Sequence, residues 1–519
     1  MATNNFCPFD ITPYTQSQVI TTPNIFSLNY TNQDFWSMKS RLVDFIRQKF
    51  PDDFSDFVES SIAIMLIENW SFLADTLSFK IDQIANEVFI DTVTEKENAF
   101  RLSKLVGFEP QPPIAARSLW TASLNNPVLS DVTIPAPFDI EVDAGTQSIR
   151  IELFPADANN NPIFDQDIVI PAGTVVNAAI VGLEGFTRDQ TTTGTGAVGQ
   201  SVLLTEFPVI YDSIRVFVDG VLWEQVKFFT DSQPRREYRV EFNSNYEAFV
   251  IFGNNRAGLI PSVGSNITVI YRQGGGTIGN VVSGTIDSQT IINVTGIPYG
   301  IPVSFRNYTR GEYGYNGDTI DDIRQKLPAY VRTQNRAVTG LDYKTLTDQF
   351  VTPYQGQIGK STAVLRNHGC AGNIIDLYVL ARLDENDLQQ ASDELKSELS
   401  NYINRMKMFT DFVCIRDGQV ISVDINVDIV MDRLYRKFEE EIRVKIQRRL
   451  NSFFALNNWE YGEELIELDI TKTISDIKEI KNVDITFITS DPQNGGNRVS
   501  ARFYEIIRPD MINVGFTYE

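Results

Sequence analysis

Apolar residues recur at helical spacing through Phe35, Met38, Leu42, Phe45 and Ile46, and Thr31 with Asp34 three positions on resembles a capping box. This predicts a helix reaching about Phe50. Pro51, Asp52, Asp53, Ser55 and Asp56 interrupt the pattern, and a longer helix is expected over roughly residues 60–88. That second helix carries two apolar stripes. Ile62, Leu66, Leu73, Leu77, Ile84 and Val88 make one, and Met65, Phe72 and Phe79, seven residues apart, make the other. One neighbouring helix cannot cover both. With a third helix over 94–106, the pattern alone favours an internal three-helix core over a bundle between chains.

Near Pro110, Pro112 and Pro113 the period changes. Lys227 is the only lysine between Lys104 and Lys326, while Gly, Thr, Val and Ile become frequent, so residues 111–310 read as one or two antiparallel modules. Ile214, Val216 and Val218, then Asp219-Gly220, then Val221-Leu222-Trp223 form a strong hairpin signal, because Asp-Gly supplies the positive φ angles of a type I′ turn. Arg239–Phe242, Phe249–Phe252 and Ile267–Arg272 are expected as further strands.

After Gly311 the helical period returns, with Ile323 and Leu327 before Pro328 and a capped helix from Thr339 and Asp342 through Tyr343, Leu346 and Phe350. A strand over Ile374–Leu380 precedes a helix with Leu388, Leu395, Leu399, Tyr402 and Met406. Ile421, Val423, Ile425, Val427 and Ile429 alternate as an amphipathic strand. A helix with Phe438, Ile442, Ile446, Leu450 and Phe453 follows, then a shorter one near 469–480 and strands at Val483–Thr489 and Val499–Tyr504. The expected class is α+β multidomain: an extended amino-terminal arm over 1–30, a bundle-forming helical region over 31–110, the β-rich middle over 111–310, and an α+β oligomerisation domain over 311–519, with helices on one face of a partly antiparallel sheet.

Charge narrows the function classes. Acidic residues number 67 against 45 basic, a formal charge of −22, which disfavours attraction to phosphate backbones or anionic lipid. Cys7, Cys370 and Cys414 lie far apart without CxxC spacing, so a reducing compartment is expected, and no uncharged apolar run reaches the ~20 residues of a membrane crossing. No amino-terminal secretion signal is evident. His368, beside Cys370, is the sole histidine, which excludes multi-histidine metal sites.

The remaining motifs read as loops. Gly194-Thr195-Gly196-Ala197-Val198-Gly199 fits the spacing of a dinucleotide loop, yet Ser201-Val202-Leu203-Leu204 after it is strand-like where a helix is required. Gly274-Gly275-Gly276 lacks the lysine of a phosphate loop, and Asp157-Ala158-Asn159-Asn160-Asn161 runs into Pro162 where a calcium loop needs glycine. Asp424 and Asp428 read as a solvated strand face, and the Asn266 and Asn293 sequons as chance matches. No catalytic, metal or cofactor site is expected, and the chain reads as a non-enzyme.

Phe252-Gly253-Asn254-Asn255-Arg256-Ala257-Gly258-Leu259-Ile260-Pro261, continuing through Gly274-Gly275-Gly276-Thr277-Ile278-Gly279-Asn280-Val281, resembles the baseplate J-like family of contractile phage tails. Leu327-Pro328-Ala329-Tyr330 through Thr339-Gly340-Leu341-Asp342-Tyr343 resembles that family's entry into its carboxy-terminal region, and Asp34-Phe35-Trp36 with Glu87-Val88-Phe89-Ile90-Asp91-Thr92 is similar to the start of its wedge proteins. The resemblance implies a structural baseplate-wedge subunit, built into virions assembled in the host cytoplasm. Its implied partners are a second copy, other wedge proteins, neighbouring wedges, the tail hub and sheath-proximal baseplate proteins, with no direct nucleic acid and no membrane insertion. A sixfold ring around the hub would rearrange to trigger sheath contraction. It also turns the bundle reading of Ile62, Met65, Leu66, Phe72, Leu73, Leu77, Phe79, Ile84 and Val88 into the favoured one. Gly311, Gly314 and Gly317 are the expected hinge, together with the Pro110–Pro113 segment. The competing class is a β-rich tail adhesin or glycan hydrolase.

Overall fold

The computed structural model describes residues 34–518 apart from 51–56, 59–60, 144–147, 230–232, 293–299, 368–372, 385 and 490–494. The expected arm over 1–30, Thr31, the Pro51–Asp56 interruption, Cys7, the His368–Cys370 pair and Asn293 lie outside the described residues. The chain divides into two compact units, one holding Gln111–Gly317 and Arg332–Glu519, the other Ile20–Pro110 and Asp318–Val331.

The helical unit contains α1 (Phe35–Lys49), α2 (Ile62–Asn86), α3 (Lys96–Leu105) and, up to Val331, α4 (Ile320–Thr333). The capping box falls three residues later than Thr31: the Asp34 carboxylate accepts from the Ser37 amide at 2.8 Å, and the Ser37 hydroxyl accepts from the Asp34 amide at 3.0 Å. Pro328 sits inside α4 and does not end it. A mid-helix proline costs about 3 kcal/mol. Contacts on both sides of it hold the helix: Arg324 donates to the Val93 carbonyl, and the Tyr330 hydroxyl donates to the Gly107 carbonyl at 3.1 Å while its ring meets Phe108.

In the larger unit a six-stranded antiparallel sheet runs in the order Asp287–Ile292, Ile301–Asn307, Arg117–Leu124, Val176–Glu184, Ser148–Pro155, Phe138–Asp143. Alternation in Arg117–Leu124 turns Trp120, Ala122 and Leu124 into a core shared with Leu153, Ile180 and Phe305. Two four-stranded sheets enclose a second core around Val216, Val250, Phe252, Val269 and Tyr271. The expected hairpin is present: Val218 pairs with Val221 across Asp219 and Gly220, whose φ angles are +50° and +77°.

A buried ion pair joins these β modules. Arg272 donates from Nε to Glu152 at 3.1 Å and from Nη2 to the carbonyls of Leu183 and Glu184, while Glu152 also accepts from the amide and hydroxyl of Thr187. Every strong partner is satisfied, which offsets the cost of taking both charges out of water.

Two α+β layers complete the chain. α5 (Gly340–Asp348), opened by the expected Thr339/Asp342 capping box, and α6 (Asp393–Met406) cover a sheet built on Gly356–Asn367 and Asn373–Arg382 through Leu346, Leu377, Leu395 and Leu399. Leu388 belongs to a short strand rather than to α6, because Ser392 caps the helix by accepting from the Leu395 amide. In the last layer α7 (Glu439–Phe453) and α8 (Glu467–Ile474) pack on Val423, Ile425, Val427 and Ile429 of the central strand Gln419–Met431. Phe438 precedes α7 in a 3₁₀ turn and stays exposed. That central strand is antiparallel to Ile480–Thr489 and parallel to Glu505–Tyr518. The expected strand at 499–504 is instead two elements, Arg498–Ser500 and this long final strand. Cys414 is fully buried and disulfide-bonded.

Gly182 lets the Trp120 indole lie flat on its strand, since a Cβ there would stand 2.2 Å from Nε1. Gly182→Ala should therefore destabilise the larger unit by about 1–3 kcal/mol in chemical denaturation, with the native fold retained by circular dichroism. Unchanged stability would refute this packing role.

Candidate assembly surface

The chemistry-bearing motifs resolve into turns. Gly194–Gly199 links strands Phe186–Thr193 and Ser201–Leu203 with no helix following, and Gly196 and Gly199 adopt positive φ. Asp157 closes its own turn by accepting from the amides of Asn159 and Asn161 at 2.8 and 2.7 Å. Asp424 faces away from the last core and accepts from the Met511 amide.

The unusual surface is α2. Only Ile64, Ile67, Ser71 and Ser78 are buried, whereas Ile62, Met65, Leu66, Phe72, Leu73, Leu77, Phe79, Ile84 and Val88 are 47–73% exposed. Neither α1 nor α3 covers the two stripes, which overturns the internal-core reading. Trp70, Ile81 and Phe89, absent from the sequence reading, are exposed as well. Trp70 lies seven residues before Leu77, so the heptad spacing already contained that signal. Between the stripes runs a polar ridge of Asn69, Thr76 and Gln83, also at sevenfold spacing. An apolar surface of this extent is the mark of a binding face.

Charge on α2 is sorted by side. Glu68, Asp75 and Asp82 recur every seven residues on the face turned from the larger stripe, and Glu68 pairs with Lys39 of α1 at 2.7 Å. By length and composition α2 could also cross a membrane. The acidic column argues for water or protein on that side.

Glu87 fixes the turn from α2 to α3. Its carboxylate accepts from the Thr94 amide at 2.9 Å, the Thr94 hydroxyl, the Glu95 amide and the Asn98 side chain. Burial opposes the charge, but these donors outweigh it and hold the pKa below the usual 4.5.

The expected hinge glycines occupy a tight clasp within the larger unit. Gly311 donates to the Val281 carbonyl at 2.7 Å, and Gly314 donates to Asn280 Oδ1 at 3.0 Å. A Cβ at either would meet a backbone carbonyl oxygen at 2.1 or 2.3 Å, and Gly317, at φ +86°, lies under the Tyr246 ring. Close approach and positive φ both require glycine here. In the same clasp Glu184 accepts from the Gly275 amide at 2.7 Å; burial pushes its pKa to about 7, against the pull of that amide and Arg272.

Residues 34–105 match the family described as bacteriophage baseplate protein, N-terminal domain. The match begins on the Asp34 cap of α1 and ends on the last residue of α3, and so takes in the helix that carries the exposed stripes. The whole chain is also similar to a chain of the anti-feeding prophage (AFP) baseplate, 6-fold symmetrised, at 11% identity, covering 91% of this chain and 90% of that one with a TM-score of 0.32. That score is too low to extend the likeness to function. No curated protein matches the sequence.

Two pH responses follow. Glu87→Ala should cost about 1 kcal/mol near neutral pH. The loss should hold above pH 4.5 and shrink as pH falls through the lowered native pKa, because protonation removes the same acceptor from the wild type. A pH-independent difference in denaturation midpoints would refute the capping role. Glu184 has the opposite sign: its raised pKa makes the folded state hold its proton more tightly, so wild-type stability should decline between about pH 4.5 and 7 and then level off. Glu184→Gln should remove up to about 3 kcal/mol of that pH dependence. Parallel stability-against-pH curves would refute it.

Proposed function

We propose that this chain is a structural subunit of a contractile-tail baseplate wedge. The observation that carries the reading is the exposure of all nine stripe side chains, eight on α2 and Val88 just beyond its end, in a segment matching a baseplate-protein family. Burying such side chains is worth about 1.5–3 kcal/mol each, so partners on both stripes are the stable state. The subunit joins a second copy and other wedge proteins through α2, and its carboxy-terminal domain, 311–519, contacts neighbours. Repeated wedges ring the tail hub within the virion, and their rearrangement triggers sheath contraction.

Pro110–Pro113 and Gly311–Gly317 are the proposed joints, supported by the chain's passage between its two units after Pro110 and after Gly317. Proline at Gly317 is not a clean probe of that joint, because its native φ of +86° is closed to proline.

The full chain should associate at micromolar concentration in size-exclusion chromatography with light scattering. Replacing one side chain from each stripe, Phe72→Asp with Leu73→Asp, should return it to a single-chain mass with unchanged circular dichroism. A wild-type chain that stays single and stable at ~100 µM, where contacts of even ~5 kcal/mol register, would overturn the reading.

A further inference from the structure

The chemistry of α2 repeats every seven residues on every face, which is the signature of a helix built to supercoil with others. Leu66, Leu73 and Lys80 alternate at four-three spacing with Trp70, Leu77 and Ile84, giving a continuous seam along the exposed side. Lys80 is the only charge in it. The positions flanking the seam are uncharged: Ile67, Ala74 and Ile81 on one side, Asn69, Thr76 and Gln83 on the other. The acidic column of Glu68, Asp75 and Asp82 lies around the opposite side, out of reach of the seam.

Within the chain the Lys80 ammonium donates to Gln83 Oε1 at 3.0 Å, and no carboxylate among the described residues pairs with it. A helix docked on the seam would bury that cation at its centre, which is costly unless a carboxylate meets it. A second copy cannot supply one. In parallel register it sets Lys80 against Lys80, and in either direction its seam contains no acid.

Resting on the assembly reading above, we infer that the Leu66–Ile84 seam docks a helix of a different polypeptide carrying a carboxylate opposite Lys80, and that Lys80 selects this partner. The Met65, Phe72 and Phe79 stripe, which has no charge, is left for the second copy. A single polar residue in an apolar seam is an established means of fixing register and partner at a cost in stability.

Full-length chains test this, with Phe72→Asp and Phe79→Asp added throughout to silence the other stripe. In this background the Lys80 chain and a Lys80→Glu chain should each remain single in analytical ultracentrifugation. Their mixture should pair at least tenfold more tightly than either alone, with the preference shrinking as salt rises. A Lys80→Leu chain should pair with itself. If the Lys80 chain self-associates as tightly as the mixture, or Lys80→Leu pairs while the mixture does not, Lys80 is not the selector and the inference falls while the assembly reading stands. If none of the chains pairs, including Lys80→Leu, the seam is not a docking face and the inference falls, while the assembly reading is judged separately by the association of the wild-type chain, whose other stripe is intact.

Discussion

A helix whose apolar side chains face water on two sides sets the terms for the rest of this molecule. Hydrophobic burial is the principal favourable contribution to folding, and α2 forgoes most of it within its own chain. Polar contacts brace the helical unit alongside its few buried apolar side chains: the Asp34/Ser37 box, the Lys39–Glu68 pair, the Glu87 cap and the Arg324 and Tyr330 bonds that carry α4 past its proline. These interactions orient the helices without spending the exposed stripes.

The larger unit is organised the other way. Its sheets close over continuous cores, and several of its buried charges are paired, as Arg272 with Glu152 and Arg366 with Asp376 show. Buried pairs of this kind add little net stability but penalise any packing that separates them. The result is a body suited to keep its shape while forces act on it, joined among the described residues to the helical unit by three chain passages, after Pro110, Gly317 and Val331.

Much of this was legible in the sequence where chemistry is local. Asp219-Gly220 requires its turn, Thr339 with Asp342 requires its helix start, and the odd-numbered apolar residues of Ile421–Ile429 require one buried face. The errors share a cause. The cost of Pro328 inside a helix is local, while the contacts that override it come from residues 93, 107 and 108, more than two hundred positions away. Leu388 fits the α6 period but is captured by Arg382 across a strand pair. The α2 stripes were visible, yet periodicity states only that a face is apolar. Whether the cover comes from the same chain depends on where α1 and α3 lie, which only the structure reveals. Glu87 and Glu184 drew no notice because a lone acid has no pattern until its donors are in place.

The ridge of Asn69, Thr76 and Gln83 separates the two greasy tracks of α2 with amides and hydroxyls that retain their hydration. In the proposed assembly, filling one track would leave the other wet and unaltered, so companions could be added one at a time rather than all together. A half-built particle of this design would idle in solution as a defined intermediate, waiting for its missing member.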